Sequence, residues 1–176
     1  MKKIIQILAI GSLSLLAACN HTDDQFYNTV YIEAPNLVSI EGNNFYFRND
    51  SLVFTISFPN LLQGETDELP TNLYETTKSP YFLLAYSLEK WNNKEWIVYK
   101  NGINTSEVPI VLNGAFYKGR EAIYLPEVGS YRLRFDAGFK PEQIGVISKN
   151  NNPNPTVNIS TTVVDYKNIY NFVVLH

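Results

Sequence analysis

From position 29 onward, apolar and polar residues alternate along this chain in short, interrupted runs. The clearest is Leu52-Val53-Phe54-Thr55-Ile56-Ser57-Phe58. Leu52, Phe54, Ile56 and Phe58 share one face, while Val53, Thr55 and Ser57 share the other, which predicts a half-buried strand ended by Pro59-Asn60. Before it, Thr29–Glu33 predicts a short first strand stopped by Pro35. Leu37-Val38-Ser39-Ile40 continues it after a kink, and Phe45-Tyr46-Phe47 is an aromatic run cut by Arg48-Asn49-Asp50. Residues 60–79 read as a polar connection, its second half bracketed by Pro70 and Pro80. Tyr81–Trp91 is then a long strand, and Lys94–Lys100 returns from it. Asn92-Asn93 between them predicts a two-residue turn, because Asn tolerates the positive φ of tight hairpins. That register sets Lys90 opposite Glu95, Leu88 opposite Ile97 and Tyr86 opposite Tyr99.

Val108-Pro109-Ile110-Val111-Leu112 predicts a short strand, and its proline an edge position. Glu121–Leu125 is another strand. In Tyr131–Phe135 the residues Tyr131, Leu133 and Phe135 point one way, Arg132 and Arg134 the other. The chain reads as loop after Gly138, and Asn150-Asn151-Asn152-Pro153-Asn154-Pro155 is a strong breaker. Val157–Val164 and Ile169–Leu175 predict a closing hairpin turning at residues 165–168, with its last strand inside the sheet. No segment keeps a helical period beyond two turns, and there is no internal repeat. The expected fold is all-β, a single antiparallel sandwich over residues 29–176.

Leu125-Pro126-Glu127-Val128-Gly129-Ser130-Tyr131-Arg132-Leu133-Arg134-Phe135 resembles the tyrosine corner of immunoglobulin-like and fibronectin-III-like sandwiches, in which a tyrosine early in a strand returns its hydroxyl to the preceding turn. The resemblance spans about eleven residues. It implies the broad immunoglobulin-like class, since the cysteine pair of antibody domains is missing. A lipocalin-like β-barrel is the alternative, told apart by a large internal cavity where a sandwich is packed solid.

The first residues obey a different pattern. Lys2 and Lys3 precede an apolar run from Ile4 to Ala17, and Leu16-Ala17-Ala18-Cys19 closes it. A basic start, an apolar middle and a small-residue cleavage site make a secretory signal over residues 1–18. The run is short of the roughly 20 residues that span a bilayer. The cysteine after Leu-Ala-Ala resembles a bacterial lipoprotein signal, which implies lipid on the Cys19 sulfur. With two or more acyl chains the anchor is stable. Residues 19–28 then form a tether. Within it Thr22-Asp23-Asp24 resembles the surface-export tag of Bacteroidetes lipoproteins, with Asp23 and Asp24 as the tag acids. That implies an outer-membrane protein facing the medium; without the tag the domain faces the periplasm. Asp50-Ser51-Leu52 resembles the O-glycosylation acceptor of secreted proteins from the same group.

Composition narrows the chemistry. Loss of the signal with Lys2 and Lys3 leaves 158 residues, one domain by size, and moves the net charge from −3 to −5. There is no basic run for nucleic acid. Cys19 is the sole cysteine, so no disulfide within the chain is possible. The two histidines are His21 in the tether and His176, which removes nucleophile–histidine pairs, histidine-ligated zinc and histidine bases from the domain. No cofactor motif is present. Glu65, Asp67 and Glu68 are the weak candidates for calcium. A carboxylate-dependent hydrolase would need two acids converging across a cleft.

Aromatic residues are the stronger candidates. The chain has 12 Tyr, 10 Phe and 2 Trp. Trp91 and Trp96 flank the hairpin tip, and Tyr74, Tyr81 and Tyr117 stand in polar surroundings. Exposed rings anchor protein partners or stack on sugars. The expected protein is therefore a non-enzymatic, lipid-anchored envelope protein. It binds a protein or glycan through Trp91, Trp96, Tyr74 and Tyr117, or serves as an accessory subunit of an envelope assembly. The alternatives are a lipocalin-like carrier of a small hydrophobic ligand and the hydrolase. Oligomeric state is not encoded in any of these features.

Overall fold

The computed structural model describes residues 28–99, 106–149 and 153–176. The signal, Cys19, Asp23, Asp24 and Asn150–Asn152 lie outside the described residues. The domain is all-β. Its strands are β1 (Thr29–Glu33), β2 (Val38–Glu41), β3 (Phe45–Phe47), β4 (Ser51–Pro59), β5 (Leu61–Leu62), β6 (Thr71–Asn72), β7 (Tyr81–Trp91), β8 (Trp96–Val98), β9 (Ser106–Asn113), β10 (Phe116–Tyr124), β11 (Gly129–Phe135), β12 (Ile144–Ser148), β13 (Thr156–Thr161) and β14 (Ile169–Leu175). One helical turn, α1 (Leu73–Thr77), stands before β7.

Strand β7 organises the whole. Its even residues Phe82, Leu84, Tyr86 and Leu88 are buried, as the alternation requires. Its first half pairs with β9 on one edge and β12 on the other. Its second half pairs with β8 and β11. Two hydrogen-bonded branches thus share it: β1-β13-β12-β7-β9-β10-β4-β2, and β3-β14-β11-β7-β8. The long branch curls into a half-barrel. A parallel bridge from Val38 to Val163 ties its β2 end to the segment that follows β13. Strand β4 delivers Leu52, Phe54, Ile56 and Phe58 into the core with at most 1% of any of them exposed.

Rings fill the interior. Phe54 of β4 meets Phe135 of β11 and Tyr86 of β7, each at 5.2 Å and nearly edge-on. Phe58, Phe82 and Tyr117 form a second set at 4.9–5.5 Å, within the favourable range for aromatic pairs. Gly119 of β10 is where this packing is tightest. A Cβ there would stand 3.1 Å from both Ile110 and Ile56 and 3.2 Å from the Pro109 carbonyl.

Several expectations are corrected. The sheet is mixed, since β1 runs parallel to β13 and β3 parallel to β14. Both pairs join segments far apart in sequence, so no hairpin forces an antiparallel partner. Strands β13 and β14 form no hairpin: β13 pairs with β1 and β12, and β14 with β11 and β3, because residues 162–168 cross between the two branches. Strand β12 occupies a stretch expected to be loop, and all of it except Ile147 is buried. Residues 60–79 are not plain connection. Asn60 and Asn72 organise the β5–β6 ribbon and start α1: Asn60 Oδ1 accepts from the Tyr74 amide at 2.8 Å, and Asn72 Oδ1 from the Glu75 amide at 3.1 Å.

Pro109 does not mark an edge strand, as β9 lies between β7 and β10. The Leu112 amide donates to the Pro80 carbonyl, so residues 112, 110 and 108 address β7 and Pro109 turns its nitrogen the other way. On that side the ladder to β10 has already ended at Val111. The proline therefore interrupts no ladder bond.

Candidate partner-binding face

The outward side of the β3-β14-β11-β7-β8 branch collects the side chains that alternation keeps out of the core. Register defines its rows. Val98, Glu89, Arg132 and Asn171 lie side by side across β8, β7, β11 and β14. Trp96 pairs with Trp91, and farther along the same face Val173 pairs with Ser130 on one side and Phe45 on the other. Leu175 pairs with Phe47. Phe45, Phe47, Trp91, Val98, Val173 and Leu175 are all exposed.

The hairpin that carries the tryptophans is not the one expected. Trp91 lies opposite Trp96 and Lys90 opposite Ile97, two residues out of the anticipated register. Asn92 causes the difference. Its Oδ1 accepts from the Lys94 amide at 3.0 Å and the Glu95 amide at 2.9 Å, and its own amide donates to the Glu95 carbonyl. A four-residue loop results, with Asn93 at φ 74. A shift of two leaves every side chain on its original face. The Lys90–Glu95 pair is not formed; Lys90 Nζ instead reaches Glu127 Oε2 at 2.6 Å. There it lies 5.6 Å from the Tyr99 ring and 5.3 Å from the Tyr131 ring.

The two tryptophans stand 5.4 Å apart, tilted by 57°. Arg132 lays its guanidinium 4.8 Å from the Trp96 ring and donates from Nε to Glu89 Oε2. Arg134 Nη1 lies 3.8 Å from Glu89 Oε1. Glu89 is thus an ion-paired carboxylate on an outward face whose side chain is only 8% exposed, while Arg132 keeps 24%. The cations rigidify a platform of two indoles and a planar guanidinium. These are the residue types that dominate binding energy at protein interfaces.

Tyr131, the third residue of β11, is fully buried, and its hydroxyl donates to the Glu127 carbonyl at 2.9 Å. Burial pushes its phenol up to about 12. Gly129, between the two, adopts φ +144 and leaves room for the Lys90 stem: a Cβ there would come 2.9 Å from Lys90 Cε.

Of the four ring candidates, the structure brings Trp91 and Trp96 together. Tyr74 is exposed on α1, near the opposite end of β7, with Lys78 Nζ 6.0 Å from its ring. Tyr117 leaves the surface altogether. It is 0% exposed, packs against Phe58 and Phe82, and donates to the Ser79 carbonyl at 2.8 Å. Its polar neighbours Lys118 and Arg120 are outward alternates of the same strand, so polar surroundings in sequence did not mean exposure.

Asp67 of the acidic loop closes a turn. Its Oδ2 accepts from the Gly64 amide at 3.1 Å and its carbonyl from Gln63 Nε2 at 3.0 Å. Among the described residues, no three acidic, His or Cys side chains are grouped to hold a metal, Glu65, Asp67 and Glu68 included. Ser51 is exposed at the start of β4, beside Asp50, whose Oδ2 accepts from the Phe47 amide at 2.8 Å.

Sequence reading missed Glu89, Arg132 and the apolar strip Phe45, Phe47, Val173 and Leu175. The outward alternation of Arg132 and Arg134 was visible. Its meaning required knowing that β11 pairs with β7, which no local pattern states. No family model, curated protein or solved structure matches the chain.

Proposed function

We propose that this chain is a non-enzymatic, lipid-anchored protein of the bacterial outer membrane, exposed at the cell surface, which docks a protein partner on its Trp91–Trp96 face. The observation that carries the reading is the joining of an indole pair, a stacked Arg132 and an adjoining strip of exposed Phe45, Phe47, Val173 and Leu175 on one outward sheet surface. Contiguous apolar patches of this kind on soluble domains mark interaction sites. The Leu16-Ala17-Ala18-Cys19 order supports the anchor, and Asp23-Asp24 supports export. The lack of histidine or cysteine between positions 22 and 175 supports a binding role over catalysis.

The finer fold we assign is an immunoglobulin-like sandwich. Ring contacts between β4 and β11, strands that share no hydrogen bonds, support two facing layers. The Tyr131-to-Glu127 hydrogen bond supports the corner. Core rings at van der Waals spacing argue against the lipid-carrying barrel.

Two experiments test the proposal. Cys19→Ala should release the protein from membranes or leave it unprocessed; normal processing and fractionation would refute lipidation. A photo-crosslinking residue placed at Val98 or Leu175 in intact cells should give a discrete adduct, absent when it is placed at the exposed Leu69. Trp91→Ala should abolish that adduct while costing only roughly 1–2 kcal/mol of stability, since the ring is already 39% exposed. An adduct unaffected by Trp91→Ala, or a loss of the roughly 3–5 kcal/mol typical of a buried ring, would remove Trp91 from the interface.

A further inference from the structure

A second surface feature lies at the β1 edge, on elements that the Trp91 face does not use. Tyr31, Ile32, Glu33, Thr66, Phe139, Gln143 and Ser160 line a cavity of about 260 Å³. Two rings stand at this site, Tyr31 at 55% exposure and Phe139 at 74%, 5.8 Å apart and 61° to each other. The loop that presents Phe139 is held firmly. The Phe139 amide donates to Ser160 Oγ at 3.0 Å, the Gly138 amide to the Gln143 carbonyl at 2.8 Å, and Asn168 Nδ2 to the Pro141 carbonyl at 2.8 Å. A phenylalanine so exposed on so constrained a loop is a preorganised contact, for which little backbone ordering cost remains on binding.

Polar groups converge beside the rings. Glu33 Oε1 accepts from Lys140 Nζ at 2.8 Å and from Gln143 Nε2. These bonds hold the Glu33 carboxyl below its ordinary range, Lys140 first and Gln143 second. Both land on Oε1, which leaves Oε2 to accept from a ligand. Gln143 is 8% exposed, and its Oε1 is a buried acceptor with no hydrogen-bond partner. A buried acceptor in that state is costly and calls for a donor.

We infer that this cavity binds the ring of a neutral sugar. Phe139 and Tyr31 supply apolar faces for the C–H side of a pyranose. Glu33 and Gln143 supply two acceptors for its hydroxyls, and the Lys140 ammonium and Thr66 hydroxyl supply donors. Charge selects neutral over acidic sugars: Glu33 and Lys140 cancel, and Glu33 first, then Glu142 and Glu65, raise the affinity of Lys140 for its proton. Size selects a single ring or chain terminus, because the volume falls just below the roughly 300–1,000 Å³ of drug-sized sites.

The test titrates the full lipidated chain, in a detergent without a sugar headgroup, with glucose, galactose, mannose and N-acetylglucosamine at millimolar levels. Glucuronate serves as the acidic comparison. Saturation-transfer NMR should show at least one neutral sugar receiving magnetisation through its ring protons, and glucuronate none. Phe139→Ala should weaken that binding tenfold or more without shifting the melting temperature, and Gln143→Leu should weaken it too. Leu69→Ala should leave it unchanged. No transfer to any neutral sugar, preference for glucuronate, or binding indifferent to Phe139→Ala would each overturn the inference. The crosslinking result at the Trp91 face is independent of all three.

Discussion

Removing the charge of Arg132 should destabilise this protein more than removing that of Glu89, although the two share one ion pair. The asymmetry follows from exposure. Arg132→Met keeps an aliphatic stem against Trp96 but leaves the Glu89 carboxylate, 8% exposed, with only Arg134 at 3.8 Å. Breaking a buried pair by removing one partner costs about 3–5 kcal/mol, and with Arg134 still near we expect the low end, roughly 3 kcal/mol. Glu89→Gln leaves a guanidinium that is 24% exposed and can turn to water, or donate to the amide oxygen as a neutral partner. That change should cost about 1 kcal/mol, the worth of an ordinary hydrogen bond. The double variant should cost about 2 kcal/mol, less than the singles combined, since it strands neither charge. Urea unfolding followed by tryptophan fluorescence reads all four chains, provided the m-value stays constant. Equal losses for the two single variants, or strict additivity in the double, would refute the claim that Glu89 is held as a buried, neutralised charge.

Three more outcomes follow from the same packing. Tyr131→Phe should lose about 1 kcal/mol by urea unfolding, because it removes the hydroxyl bond to Glu127 while keeping the ring. Gly129→Ala should lower stability by about 1–3 kcal/mol, the range for a strained backbone position, and loosen Lys90 from Glu127; thermal melts and a Glu127→Gln comparison read it. Tyr99, Tyr117 and Tyr131 are each pushed up to about 12 by burial. Their folded forms therefore hold protons that the unfolded chain releases near its ordinary pKa of about 10. That stability is complete below pH 10 and is lost as pH climbs towards 12. Ultraviolet titration should show these phenols ionising together with unfolding; smooth ionisation with the fold intact would contradict their burial.

What the chain disclosed beforehand was mostly local. Strand β4 was legible because Leu52, Phe54, Ile56 and Phe58 alternate without a break, and β7 because Pro80 and Asn92 bound it. Strand β12 was hidden because Ile144-Gly145-Val146 is buried on both faces and shows no alternation. The hairpin slipped by two because the reach of the Asn92 side chain to two amides outweighs the preference for a two-residue loop. Pairing was the blind spot. Strands β13 and β14 look like neighbours, and sequential strands often are, yet Val157 answers Val30 and Phe172 answers Tyr131. The candidate surface divides the same way. Trp91 and Trp96 were found from the turn between them, whereas Glu89 and Arg132, 43 positions apart, meet only once β11 has docked on β7.

The position of β14 sets a timetable for folding. It lies between β11 and β3, and its Tyr170 hydroxyl reaches the Asn43 carbonyl 127 positions earlier in the chain. Until residues 169–175 are made, β3 has no strand partner and one hydrogen-bonding edge of β11 stays open. Contacts of such long range form slowly, so the β3-β14-β11 branch closes after the strands of the long branch are already in place.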